Sequence, residues 1–271
     1  MNKQITRHTA WILTIGVLTI SACKKDDKNG GGTTPIPTPT TSGSRQITKI
    51  EESTGAYSAF DYNTDGLISK IESRENGEVT NVTLTYNPLK KLISAAMADG
   101  SMNYIYDGSQ LRRVDYISKT DNSVVGYTKF TYQNTKLSES AQYVKYQGND
   151  IAYMKTAYTY NGNDVATQKI YAWSAVTNSY ELSETWNYEY DNKVNPLAAS
   201  SSSELGQTFF ELNSVHNIVK QTVYNTQNTL TETDTYSYTY DGNGYPSEGD
   251  KTVIKPGAAN VTSHLKFTYK N

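Results

Sequence analysis

The chain has 271 residues and a formal charge of −2, from 25 basic and 27 acidic side chains, and it contains 23 tyrosines but one cysteine. A single thiol excludes an internal disulfide, and the mild acidity argues against nucleic acid or an anionic membrane surface as partner. Beyond residue 22 no run is apolar enough to cross a membrane as a helix; the best, 92–98, is seven residues long and contains a serine.

The first element is a leader. Lys3 and Arg7 precede a mostly apolar stretch at 10–20, too short to span a bilayer, and the small residues Ser21 and Ala22 follow it. Ile20-Ser21-Ala22-Cys23 resembles a bacterial lipobox, in which the cysteine is lipidated and the chain is cleaved just before it. The resemblance implies a signal peptide at 1–22 and a mature chain that starts at lipidated Cys23, with no thiol left for a metal or a nucleophile. Loss of 1–22 removes two bases and no acid, leaving 23 basic against 27 acidic residues, or −4. His8 departs too, so His216 and His264 are the remaining imidazoles.

Lys24-Lys25-Asp26-Asp27 resembles the export signal that places lipoproteins on the outer face of the outer membrane in some Gram-negative bacteria. It implies an outer-membrane lipoprotein exposed at the cell surface, held there by its N-terminal lipid alone. Residues 28–44 are rich in glycine, threonine and proline and carry no aromatic. The segment 23–44 therefore reads as a flexible tether, able to reach several tens of ångströms at roughly 3 Å per extended residue.

Residues 45–271 read as one β-repeat domain. An aromatic-x-aromatic phrase followed by a turn residue recurs with its second member at Tyr62, Tyr86, Tyr106, Tyr132, Tyr160, Tyr190, Tyr240 and Tyr269, and with Leu212 in the same place in Phe210-Glu211-Leu212-Asn213. The spacing of 20 to 30 residues marks a repeated supersecondary unit. Alternation puts both members of a phrase on one strand face, and the apolar pattern resumes after the turn at Leu67 and Ile71, Leu111 and Val114, Leu137 and Ala141, Val165 and Ile170. Turn pairs such as Asn76-Gly77 and Asp99-Gly100 close each unit, so the strands run antiparallel in sequential order.

The predicted architecture is all-β, a meander of about 17 strands rolled into a soluble barrel or a rolled, two-layer sheet, because an open sheet of that size leaves two bare edges. The stretch 180–190 has a fully polar face, with Glu184 on the other, and so lacks a lipid-facing band. The segment 89–99 has helical propensity, but its place in the repeat predicts a strand. Pro196 makes 195–207 a loop or short helical turn.

Tyr-x-Tyr-Asp-x-x-Gly resembles the YD repeats of RHS-type shell proteins, with longer and less regular spacing here. Tyr188-Glu189-Tyr190-Asp191 with Asn195-Pro196, Asn213-Ser214-Val215-His216-Asn217, and Tyr238-Thr239-Tyr240-Asp241 with Gly244-Tyr245-Pro246 resemble a family of secreted bacterial lipoproteins of unknown function, porin-like in fold. That resemblance implies the β architecture and a surface location, and it implies no activity.

Candidate chemistry is sparse. Asp61-x-Asn63-x-Asp65-Gly66 with Glu72 matches the spacing of a calcium-binding helix-loop-helix, but the phrase register makes Asp65-Gly66 a hairpin turn and sets Glu72 on the return strand, so no metal is expected. No nucleophile elbow, zinc-helix motif or phosphate loop is present, and no cofactor or enzymatic activity is expected; carboxylate pairs for glycan hydrolysis need only proximity in space. Most phrase tyrosines read as core. Tyr171 and Trp173 fall outside the phrase, share a strand face and lie opposite Tyr180 across a turn, which marks them as a ligand-binding platform for a glycan or a surface protein. The expected function is a surface-anchored binding or adhesion module, with a structural envelope protein as the alternative and a glycan hydrolase behind both.

Overall fold

The computed structural model describes residues 45–200, 202–208 and 214–270. Cys23, the tether and the phrase at 210–213 lie outside them. Among the described residues the strands are β1 (Ile47–Glu52), β2 (Tyr57–Tyr62), β3 (Ile68–Glu75), β4 (Glu78–Tyr86), β5 (Leu92–Met97), β6 (Gly100–Asp107), β7 (Gln110–Ser118) and β8 (Val124–Gln133). They continue as β9 (Lys136–Tyr146), β10 (Asn149–Asn161), β11 (Asp164–Ser174), β12 (Ser179–Val194), β13 (His216–Asn225), β14 (Leu230–Tyr240), β15 (Pro246–Ile254) and β16 (Val261–Tyr269). Each pairs antiparallel with its sequence neighbours, and β16 pairs with β1, so the meander is a closed barrel. The expected architecture holds, with sixteen strands where about seventeen were counted. The segment 89–99 contains a strand, β5, as expected, and the break near Pro196 holds two short helices, α1 (Pro196–Ser200) and α2 (Ser203–Thr208).

Among the described residues every phrase lies at or near the end of an even-numbered strand, and every odd-numbered strand opens on a bulge. Tyr62 faces Ile68 while Asp61 faces Lys70, which leaves Ser69 unopposed. The same step follows Tyr86, Tyr106, Tyr132, Tyr160, Tyr190 and Tyr240, and the seam repeats it between Tyr269 and Ile47. One extra residue shifts the inward face by one, so buried positions on these strands lie three apart: Ile47 and Ile50, Ile68 and Ile71, Leu111 and Val114. Two expected positions are corrected by this. Ile68, not Leu67, opens the inward face of β3, and Ala141 lies on the outer wall opposite Lys129 and Lys155, leaving Ser140 to face inward below Leu137.

A bulge breaks the ladder and leaves a carbonyl without its partner, which must be satisfied if buried. Tyrosine hydroxyls do this. Tyr62, Tyr86, Tyr106, Tyr132, Tyr160 and Tyr190 donate to the carbonyls of Ile47, Ile68, Leu92, Leu111, Leu137 and Val165 at 2.6–2.9 Å. Tyr238 and Tyr269 reach Ile218 and Pro246 at 3.0 and 2.7 Å. In three turns the residue after the phrase is the cap: Asn63 Oδ1 accepts from the backbone amides of Asp65 and Leu67, Asn87 and Asp241 do the same after their own phrases, and Asn225 does so at the end of β13.

The lumen has two unlike sides. Its apolar cluster draws on β1–β9, β16 and the helices, with Ile50, Ile71, Ala95 and Val114 at the second inward position of their strands. At the same position β9, β11, β13 and β15 carry Ser140, Gln168, Gln221 and Gly249. Gly249 is needed for packing: a Cβ there would stand 2.6 Å from the Ser237 carbonyl oxygen and 3.1 Å from the Tyr238 ring. The helices plug the mouth at which the phrases end, with Leu197 and Leu205 buried in the apolar cluster. Outward positions are polar, as in Thr231, Thr233, Ser237 and Thr239 of β14 and Thr185, Asn187 and Glu189 of β12. Apolar inside and polar outside is the reverse of a lipid-facing barrel, and the wall suits water.

Candidate functional site

The wall is tallest where β10 runs for 13 residues and β12 for 16. On its outer face, toward the mouth opposite the plug, aromatic and basic side chains alternate from β7 to β12. Strand register makes the array: Asp115 faces Tyr127, Tyr127 faces Tyr143, Lys155 faces Tyr171, Tyr171 faces Leu182 and Trp173 faces Tyr180. Tyr127 and Tyr143 stack with centroids 4.8 Å apart, and the Arg113 guanidinium lies 3.8 Å above the Tyr127 ring. Lys129 stands over both rings, at 5.5 and 5.2 Å. Lys155 bridges Tyr171 and Tyr180 at 5.0 and 5.3 Å, and Trp173 meets Tyr180 edge to face at 5.0 Å.

Carboxylates balance most of the cations. Asp115 pairs with Arg113, Asp150 with Lys145 at 2.7 Å, and Glu139 with Lys155 at 3.2 Å. Lys145 and the Tyr127 hydroxyl, which donates to Asp150 at 2.9 Å, hold the Asp150 carboxyl below its ordinary range. Burial first, and then Asp150, push the Tyr127 phenol up to about 12. Burial, with Tyr143 and Glu139 beside it, pushes Tyr180 up to about 12 as well. These phenols stay neutral and can donate or accept hydrogen bonds; the array offers edges and faces of rings among paired charges, a surface suited to stacking and hydrogen bonding.

The structure brings Tyr171, Trp173 and Tyr180 together on one face, as their alternation predicts. All three are half-buried, so the platform is set into the wall rather than standing on it. Arg113, Tyr127, Lys129 and Tyr143 were missed. The signal was parity: Tyr127 stands an odd number of residues before Phe130, so it faces away from the core that Phe130 enters.

The calcium-like spacing is occupied by hairpin chemistry. Asn63 Oδ1 is committed to two amides, Asp65 pairs with Lys90 at 3.0 Å, and Glu72 accepts from the Tyr57 hydroxyl and Lys70. The Tyr57 hydrogen bond lowers the Glu72 pKa, and Glu72 raises that of Tyr57. His216 and His264 each pair with a separate carboxylate, Asp164 at 2.7 Å and Asp250 at 3.0 Å, in different parts of the barrel.

No protein-family model matches the chain, and no curated protein matches it in sequence. Among solved structures, it is similar to a porin-like protein from Bacteroides uniformis ATCC 8492 at 14% identity, with a TM-score of 0.51 over 83% of this chain and 96% of that one. It is also similar to a porin-like protein from Bacteroides vulgatus ATCC 8482, again at 14% identity, with a TM-score of 0.55 over 83% of this chain and 99% of that one. At such identity the likeness is one of fold, and it gives this chain a porin-like β-barrel architecture.

Proposed function

We propose that the chain is a non-enzymatic lipoprotein on the outer face of the outer membrane, and that its barrel binds a glycan or another surface protein through the outer strip of β7–β12. The strip is the observation that carries this reading: five rings, of which Tyr127 is 2% exposed, and four cations, three of the latter balanced by acids, on a wall that is otherwise mostly polar. Its position supports display. Arg45, where the tether would enter, pairs with Asp241 at the plugged mouth, whereas the strip lies toward the opposite one. Hairpin tips beside it expose Val176, Tyr146 and Ile151. A contact surface of aromatic anchors within a polar rim is what binding interfaces use.

A structural envelope protein is the second reading, favoured by the tyrosine hydroxyls spent on the barrel's own carbonyls. The separating experiment is a thermal-shift screen of the processed protein and of Trp173→Ala/Lys129→Ala against polysaccharides and purified surface proteins. A stabilising shift that the double variant loses supports binding. No shift across the panel, or one the variant keeps, removes the strip as the site.

A further inference from the structure

We propose that the polar side of the lumen, between β9 and β14, is a second binding site, a chamber for a short neutral saccharide that enters by the mouth opposite the plug. The observation behind it is a set of inward amides with nothing to hold. Gln168 and Gln221 are 6% and 3% exposed, and neither side chain has a hydrogen-bond partner among the described residues. Gln142, inward on β9, has a buried Oε1 that is likewise unpartnered. Amides shut away from bulk water need a partner, and where the protein supplies none a solvent or ligand molecule must.

The register gathers these groups. Gln168 faces Tyr158 on one side and Trp186 on the other, and Gln221 faces Tyr188 and Asp234. The Trp186 indole N–H donates to Glu184 Oε2 at 2.8 Å, which fixes the ring plane beside the amides. A fixed aromatic ring with uncommitted amide donors and acceptors matches a sugar, whose ring stacks and whose hydroxyls both give and take hydrogen bonds. Inward Glu52 is matched by Lys251 at 3.5 Å and Glu232 by Lys255 at 2.8 Å, and Glu184 is engaged by the Trp186 indole, so the uncommitted groups are the uncharged amides, which suit a neutral ligand. The way in is the far mouth, where Ala172 and Glu181 face each other on the inner side and both are exposed. At the other end Leu197 and Leu205 close the barrel.

The two sites each own one tryptophan, since of Trp11, Trp173 and Trp186 the first lies in the leader. Full-length processed protein carrying Trp173→Phe therefore reports on the chamber alone. It would be titrated with glucose, galactose, mannose, xylose, N-acetylglucosamine and cellobiose, following Trp186 fluorescence. The expected result is a saturable change with at least one of these, retained in Trp173→Phe and weakened at least tenfold in Gln168→Leu and Gln221→Leu. Glu184→Gln, which keeps the shape of the site, serves if either leucine variant loses its barrel circular dichroism, and it should also weaken the response.

Three results would overturn the chamber. One is no saturable signal with any probe, which leaves water as the occupant. Another is binding that Gln221→Leu and Glu184→Gln leave unchanged. The third is a response to spermidine in place of the sugars, which would make the site cationic in preference. Failure here leaves the outer strip untouched, because that reading depends on Trp173 and Lys129.

Discussion

The Tyr132 hydroxyl lies 2.8 Å from the Leu111 carbonyl oxygen and 2.6 Å from Gln207 Oε1, so one phenol joins the barrel wall to the plug. Tyr160 makes only the wall contact, to Leu137 at 2.9 Å. Tyr132→Phe removes a hydroxyl whose one proton is shared between these two acceptors and should cost about 1–3 kcal/mol, more than Tyr160→Phe. Urea denaturation with an unchanged slope is the measurement, and equal costs would mean that Gln207 adds nothing.

Alkali should unfold the barrel over a defined window. Burial raises the pKa of Tyr86 and Tyr160 to about 12, and raises Tyr106, Tyr132 and Tyr269 further. Unfolded phenols titrate near 10, so above that pH the unfolded chain has released protons that the barrel keeps. The stabilisation is complete below about pH 10 and is lost as the pH rises toward the folded values. Tyrosinate absorbance should rise cooperatively with the loss of β circular dichroism; smooth titration of most phenols at pH 10 in an intact barrel would contradict it.

Asn63 and Asp61 should behave oppositely although two residues apart. Asn63→Ala strands the amides of Asp65 and Leu67 and should cost about 1–2 kcal/mol. Asp61 is exposed on β2, and Asp61→Ala should stay within about 0.5 kcal/mol of the parent. Calorimetric titration with calcium should give no micromolar binding; an affinity lost in Asp61→Ala would make the first hairpin a metal loop.

Inner and outer aromatics should separate by stability. Tyr160→Ala opens the tyrosine-lined interior and should cost about 3–5 kcal/mol, by analogy with Phe→Ala in cores. Trp173→Ala loses its edge-to-face contact with Tyr180 and should cost about 1 kcal/mol. Equal losses in a denaturation series would make Trp173 part of the framework and remove it from the binding strip.

On the proposed function, localisation hangs on one atom. Cys23→Ala should move the protein out of the membrane fraction or leave its leader uncleaved, since the lipid is its proposed anchor. Alanine at positions 24–27 should keep the lipid and abolish digestion by protease added to intact cells. Digestion that persists would count against an export signal at those positions.

The repeat was legible because the phrases lie at or near strand ends and residues such as Asn63, Asn87 and Asp241 cap the turns that follow, both local effects. The bulges were not legible. Ser69, Arg112 and Ser138 carry no mark of being unopposed, and only the partner strand shows it. That hidden residue moved Leu67 and Ala141 off the inward face. The Tyr171, Trp173 and Tyr180 cluster could be read because one hairpin contains it, whereas Arg113 and Tyr143 join it across separate hairpins. Gln168 and Gln221 did not stand out because three-residue spacing resembles no strand pattern.

Closure through β1 and β16 imposes a parity rule. When every strand runs opposite to its neighbour, the first and last meet antiparallel only if their number is even. The chain can therefore grow or shrink only by whole hairpins, and deleting one strand would set two parallel strands against each other at the seam. Even parity also returns the chain to its starting rim, where the Lys270 amide donates to the Gln46 carbonyl at 2.8 Å. A domain fused after the last strand would leave beside Gln46, at the rim opposite the tips of the hairpins that join odd-numbered strands to the even-numbered strands after them.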